Sequence, residues 1–238
     1  MKWSDFFTSS VGKKLIMGIT GLFLITFLLV HMGVNACIFN DLSFIDPNDN
    51  GDMFNRAADF MGKTVLIRIM ELVLFLGFFL HIIQGIMLEL QNRSRRKLGY
   101  EVSMGNKGSK WYSRSMGLLG TILLLFLILH WWHFWIPSRF THAGLEEPIS
   151  LSNGRISHDM FNLMKVTFTE WWVVAVYVVA CISLAYHLLH GFQSAFRTFG
   201  LSNSRYLALV NSIGFAYSII VPLIFALMPI AMKLGWVE

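Results

Sequence analysis

Five stretches of this chain are apolar for long enough to cross a bilayer, and that removes most folds from consideration. They run over roughly 15–36, 65–90, 116–136, 171–195 and 207–232, and a helix needs about 20 apolar residues to traverse a hydrocarbon core. Backbone in lipid must satisfy its hydrogen bonds within its own segment, so each stretch is expected to be a helix. The reading is an all-α membrane protein, a single integral membrane domain over 1–238. With 55% hydrophobic and 14% charged residues and a mean hydropathy of +0.58, the chain is too apolar for an ordinary soluble domain.

The first stretch is longer than the apolar part of a secretory signal, and four others follow it. It therefore reads as a span, although "VNAC" at 34–37 has the look of a lipoprotein cleavage site. Cys37 and Cys181 are the only cysteines. That excludes a disulfide framework and a Cys-x-x-Cys-His haem attachment, so any haem is held non-covalently.

Lysine and arginine set the expected orientation. The connector "QNRSRRKLGYEVSMGNKGSKWYSR" holds seven basic residues against one acid, and the N-terminus adds Lys2, Lys13 and Lys14. These mark the cytoplasmic side. The connector after the first span carries Asp41, Asp46, Asp49, Asp52 and Asp59, which places it outside, with the N-terminus inside and the C-terminus outside. Trp131, Trp132 and Trp135 end the third span and Trp171 and Trp172 open the fourth, forming an aromatic belt at the outer interface. The net charge of +5 reflects the basic cytoplasmic face, which suits an acidic partner or anionic lipid and needs no nucleic acid to explain it.

Of eight histidines, His142 and His158 lie in the outer connector, while His31, His81, His130, His133, His187 and His190 lie within or near the end of a span. Ionisable groups at such depth are costly. One such histidine is readily explained as a neutral core residue bonded to a neighbouring helix, but here the arrangement is systematic. Each of the first four spans carries a histidine in its second half, and consecutive spans run in opposite directions. His31 and His130 therefore share the outer level, and His81 shares the inner level with His187 or His190. At about 1.5 Å per residue the two levels lie on the order of 15 Å or more apart along the membrane normal. Two histidines on facing helices at one depth are able to supply both axial ligands of one iron, the arrangement of a low-spin electron-transfer haem. Two levels imply two haems.

The spans also repeat in pairs. "GITG" at 18–21 precedes His31 by the same interval as "GLLG" at 117–120 precedes His130, and "HIIQG" at 81–85 resembles "HLLHG" at 187–191. Through the shared glycine four residues on, His81 maps onto His187. The glycines allow a flat macrocycle or another helix to approach the backbone. His190, near the cytoplasmic end, and His133, in the tryptophan belt, are expected at interfaces, where His190 is placed to meet a haem propionate or a partner subunit.

In order and spacing, "KKLIMGITGLFLITFLLVHMGVN", "MFNRAADFMGK", "LHIIQG" and "HLLHGFQSAFRTFG" resemble the five-span, di-haem cytochrome b subunit that anchors bacterial succinate dehydrogenase or fumarate reductase (complex II). The likeness covers four of the five spans. It implies that the first four helices form a haem-binding bundle, with His31 and His130 holding the outer b haem and His81 and His187 the inner one. His190 occupies a position the family does not require. The resemblance further implies a flavoprotein and an iron–sulfur protein on the cytoplasmic face of a bacterial inner membrane, with menaquinone or another quinone as electron partner. A higher oligomer of the complex is left open. The chain has neither a dinucleotide fingerprint nor cluster-binding cysteines, so on this reading it transfers electrons in the respiratory chain and does not itself oxidise the tricarboxylic-acid-cycle substrate. Electrons moving from the inner to the outer haem would gain about 2.3 kcal/mol per 100 mV of membrane potential, which would help drive them onto a low-potential quinone.

Quinone reduction also requires protons. Arg68 and Glu71 lie three residues apart in the outer half of the second span, on one helix face. They read either as a self-neutralising pair or as a propionate ligand and a proton donor. Asn35, one turn after His31, is placed to bond a quinone carbonyl, and Trp131 to line the pocket. The fifth span, with Pro222 and Pro229, reads as packing. Two other classes fit the same histidines: the cytochrome b anchor of a hydrogenase or formate dehydrogenase, and a colourless transporter using them as a proton relay.

Overall fold

Apolar runs without interior charge become long helices when their backbone has no other donor or acceptor available. In the computed structural model, which describes residues 9–95, 111–145, 147–200 and 203–237, these are α1 Ser10–Asn35, α3 Val65–Arg95, α5 Met116–His130, α7 Trp171–Thr198 and α8 Ser204–Lys233. The chain is mostly helical, 81%, with five helices long and apolar enough to cross a membrane. Shorter pieces are α2 Asp52–Lys63, the single turn α4 Trp111–Arg114, α6 Met160–Thr167 and a hairpin of β1 Pro148–Ser150 and β2 Ile156–His158. Lys2 and most of the basic connector used to orient the chain, residues 96–110, lie outside the described residues.

Several helices outrun their apolar stretches. α3 continues to Arg95, helped by an ion pair between Glu89 and Arg93 at 2.6 Å, one turn apart. α1 begins at Ser10, which puts Lys13 and Lys14 inside the helix. α5 ends at His130 and is followed by two wide turns, Trp131–Trp135 and Pro137–Thr141, in which Ile136 N–H bonds the Trp131 carbonyl and His142 N–H that of Pro137. Pro137 has no N–H to return to His133, so the regular ladder is interrupted there.

The chain divides into two compact units. The first comprises Met1–Phe27, Val73–Leu124 and Ser183–Ile219. Its helices meet through small residues and backbone acceptors: Tyr217 donates to the Ile25 carbonyl at 2.6 Å, Ser183 donates to that of Leu119 at 3.3 Å, and Gly77 lies under the Phe23 ring. Hydroxyl-to-carbonyl bonds of this kind join helices where lipid offers no hydrophobic drive.

The second unit, Leu28–Leu72, Leu125–Ile182 and Ile220–Glu238, packs the connector segments onto an apolar cluster of Ile38, Phe54, Phe161, Tyr177, Met228 and Val237. The sequence reading took 37–64 and 137–170 as plain connectors; they form a small folded layer. In α2, Phe54, Asn55 and Asp59 are buried at helical spacing. The Asn55 amide donates to Asp159 at 2.9 Å and accepts from Phe161 N–H at 3.0 Å, while Asp159 caps α6 through Asn162 N–H. The strands pair antiparallel with Ile149 opposite Ser157, joined by a turn in which Gly154 takes φ +78°. Asp41 and Asp59, two of the five acids that place this connector outside in the sequence reading, are buried. Asp59 pairs with Lys63 at 2.5 Å and Arg155 at 3.0 Å.

Candidate functional site

Each unit contains one pair of histidines on two different long helices. In the second unit His31 of α1 faces His130 of α5, ring centroids 5.8 Å apart and planes at 83°. In the first unit His81 of α3 faces His187 of α7, centroids 6.2 Å apart and planes at 66°. A metal with imidazole nitrogens bound on opposite sides at about 2.0–2.1 Å separates those nitrogens by about 4 Å, and each ring centre lies about 1 Å further out, giving about 6 Å. Both centroid separations are near that value, which leaves room for one metal between the two rings of each pair.

Two of these four rings carry an unsatisfied buried nitrogen. His130 Nδ1 and His187 Nδ1 are buried without a hydrogen-bond partner, as are Gln84 Oε1, one turn from His81, and Asn211 Oδ1. Orphaned buried groups of this kind cost about 1–3 kcal/mol each. A metal would meet that deficit only by binding Nδ1 itself; one bound through Nε2 leaves it in place. A Cβ added at Gly120 or Gly191 would meet nothing within 4 Å, and Gly21 lies directly against His81, with 3.7 Å from a Cβ there to His81 Cε1. The residues therefore fit a bis-histidine haem at each pair.

Thr20 bears on the tautomer of His81. Thr20 Oγ1 lies 2.8 Å from the Ile16 carbonyl and 3.1 Å from His81 Nδ1. With the hydroxyl proton on that carbonyl, the oxygen accepts from Nδ1–H and the ring lone pair is on Nε2. This is how a ligating imidazole is usually oriented. The His31 pair is boxed by aromatic rings instead: Phe225 at 5.5 Å from His31, and Phe126, Phe134 and Tyr177 at 5.7, 5.4 and 6.2 Å from His130. Asn35 donates to the His31 carbonyl at 2.8 Å and lies 3.3 Å from its Nδ1, so its amide nitrogen is engaged with the histidine.

The remaining histidines belong to neither pair. His133 stacks on Tyr177 at 5.9 Å with Nδ1 3.0 Å from the phenol oxygen. His190 is half-buried one turn beyond His187. His142 and His158 stack on each other at 5.1 Å in the folded connector. Among the described residues no group of three or more His, Cys, Asp or Glu comes together.

Glu71 and Arg68 form the ion pair their spacing predicts, at 3.2 Å, but two partners the sequence reading did not identify complete it. Glu71 Oε1 accepts from Trp135 Nε1 at 2.5 Å and from Arg139 Nε at 3.1 Å. Both come from the wide turns after α5, where a helical wheel gives no guide to which side chains reach across. The indole at Glu71 is Trp135; Trp131 lies behind it, 6.3 Å from its ring. Separate from this cluster, a cavity of about 750 Å³ is lined by Phe39, Leu42, Phe44, Leu227 and Trp236, with Asp41 at its wall. Comparison with protein-family models, with curated proteins and with solved structures yields no match to this chain.

Proposed function

We propose that the chain is the membrane-anchoring cytochrome b subunit of a bacterial succinate:quinone oxidoreductase, of the succinate dehydrogenase or fumarate reductase type. The observation that carries the reading is the meeting of four span histidines as two separate pairs, each at the separation of a shared iron. His31 and His130 hold one b haem and His81 and His187 the other. A haem held there would supply one-electron transfer.

The chain's own residues perform the rest. Thr20 fixes His81 with Nε2 free to ligate. Phe126, Phe134, Tyr177 and Phe225 exclude water from the His31 pair, lowering the local dielectric. Glu71, with Oε1 committed to Trp135 and Arg139, exchanges a proton at Oε2, which Arg68 contacts. The quinone approaches this cluster, and Asn35 keeps its Oδ1 for a hydroxyl donor. The flavoprotein and iron–sulfur subunits dock on the basic, cytoplasmic face, which takes up the electrons that this chain passes to or from menaquinone or another quinone.

A reduced-minus-oxidised optical spectrum of the purified protein, with haem quantified per polypeptide, tests the reading. Two b haems per chain are expected, with a flavoprotein co-purifying. One haem or none refutes the four-ligand scheme, none being the result for a proton-relay transporter. Two haems without a flavoprotein assign the chain to a hydrogenase or formate dehydrogenase instead.

A further inference from the structure

The cavity beside Asp41 takes no part in the haem reading. It lies wholly within the second unit, where the chain leaving α1 meets the end of α8. Leu42 pairs with Val237 in an antiparallel bridge, so the first and fifth spans end at the same membrane boundary. Local structure builds the walls. Gly235 takes φ +67° and closes α8 with a paired cap, in which Trp236 N–H donates to the Ala231 carbonyl at 2.9 Å and Gly235 N–H to that of Met232 at 3.3 Å. The cap brings Trp236 to the cavity, and Ala231, one turn back, adds little bulk to it. On the facing side Ile45 N–H donates to the Leu42 carbonyl at 2.7 Å and Asp46 N–H to that of Asn40 at 3.1 Å, which closes the loop that carries Phe44 and Pro47. Backbone bonds therefore set the cavity from both sides. Two of its rings, Phe44 and Trp236, are 80% and 53% exposed, so it opens at the surface.

The lining has one charge. Phe39, Leu42, Phe44 and Leu227 make it apolar, and its charged residue is Asp41, whose Oδ1 accepts from Asn50 N–H at 2.8 Å. A carboxylate accepts several hydrogen bonds, so that one leaves room for a further donor. Residues 41–55 add Asp46, Asp49 and Asp52 and contain no lysine or arginine. An anionic headgroup meets repulsion there, and a purely apolar tail turns the carboxylate toward hydrocarbon. An ammonium on an apolar body satisfies both parts of the lining. About 750 Å³ is within the usual range of small-molecule sites. We propose that this cavity binds a phospholipid with a primary-ammonium headgroup, its acyl chain against Phe39, Leu42 and Leu227 and its ammonium donating to Asp41. The inference needs only the membrane-spanning helices and stands apart from the haem reading.

The test uses the intact purified protein, delipidated in detergent and incubated with phosphatidylethanolamine that carries a photoactivatable diazirine in one acyl chain. Crosslinks are mapped by mass spectrometry, with unlabelled phosphatidylethanolamine, phosphatidylcholine, phosphatidylglycerol and menaquinone as competitors. Label is expected within 39–47 and 227–236. Phosphatidylethanolamine should displace it at a concentration about tenfold lower than phosphatidylcholine or phosphatidylglycerol, the factor expected of one hydrogen bond to a charged group. Phosphatidylcholine has the same charges but no N–H to donate. Asp41→Asn, which keeps an acceptor for Asn50 N–H, should remove the preference, and Leu227→Trp should reduce the label by filling the cavity. Asp46→Asn, on the same loop, should change nothing. Label spread along all five spans, or equal competition by the three lipids, overturns the proposal. Displacement by menaquinone ahead of every lipid also overturns it and makes the cavity a quinone site. If Asp41→Asn fails to accumulate, the competition series on the wild-type protein decides alone.

Discussion

Replacing Thr20 by valine removes a hydroxyl and little else, so it isolates what the Thr20–His81 contact contributes. The hydroxyl bonds the Ile16 carbonyl at 2.8 Å and His81 Nδ1 at 3.1 Å. The carbonyl keeps its helical N–H donor, but His81 loses the acceptor that fixes its tautomer. A buried N–H left unsatisfied costs about 1–3 kcal/mol, and removing the outer partner of a ligating histidine typically weakens metal binding about 10–100-fold. The two figures agree, since tenfold corresponds to about 1.4 kcal/mol. Haem added stepwise to haem-depleted protein should therefore show one site weakened about 10–100-fold and the other unchanged, with Thr20→Ser close to wild type. α1 also carries His31, eleven residues beyond Thr20, so an equal loss at both sites would mean that the helix had been disrupted. That result, or no loss at all, would refute the argument from the hydrogen bond.

Glu71→Gln keeps the shape of the Trp135 and Arg139 contacts but removes the exchangeable proton. Quinone turnover should fall about 10²-fold or more with both haem spectra retained, and loss of the spectra would make Glu71 a structural residue only. Gly51→Ala places a Cβ into the buried Phe161 ring at φ +73°, whereas Gly154→Ala at φ +78° meets open space. The first should lower the thermal midpoint well beyond the roughly 1 kcal/mol of backbone strain common to both, and equal midpoints would show that the ring yields. For Asp59, burial raises the carboxyl pKa, but the hydrogen bonds from Lys63 and Ser157 and the charges of Lys63 and Arg155 outweigh it and hold the group below the ordinary carboxylate range. The stability it contributes is then complete above the unfolded value of about 3.9 and disappears as pH falls through the lower folded value. Asp59→Asn should cost about 1–3 kcal/mol near neutrality and flatten the dependence of the thermal midpoint below about pH 4; an unchanged acid limb would show that Asp59 does not set it.

Five spans were legible because lipid crossing imposes a length that no soluble element needs, and His31, His81, His130 and His187 because each is expensive where it stands. Their partners were harder to read. Thr20 bonds its own helix as well as His81, and nothing in "GITG" separates that from the ordinary threonine back-bond that Thr26 makes to Leu22. The connector layer was obscured by composition: Asp52, Asp59, Arg56 and Lys63 give α2 the look of a solvated loop, and only Phe54, Asn55 and Asp59 turning inward together reveal its buried face. Asn55, 1% exposed, ties α2 to α6 across more than a hundred residues, and such a pairing has no local signature.

The third span shows why the choice among neighbouring histidines is a backbone question. His130 and His133 are three apart, and on an unbroken α-helix they share a face, so a single iron facing that helix would have either one within reach. The helix does not remain regular. α5 stops at His130, and the wide turn over Trp131–Trp135 advances the chain around the axis by less per residue than an α-helix does. His133 is thereby directed onto Tyr177, which it stacks against at 5° between planes and bonds at 3.0 Å, while His130 stays opposite His31 at 5.8 Å. Tyr177 also lies edge-on to Phe126 and Phe168 at 4.9 Å, so a packed aromatic core holds His133 out of competition. Five bulky residues in a row, "WWHFW", followed one residue later by Pro137, favour the wider turn because a regular one would crowd the rings and leave the His133 carbonyl without its donor. The local code for which histidine faces His31 therefore lies beyond His130, in the residues that unwind the helix behind it.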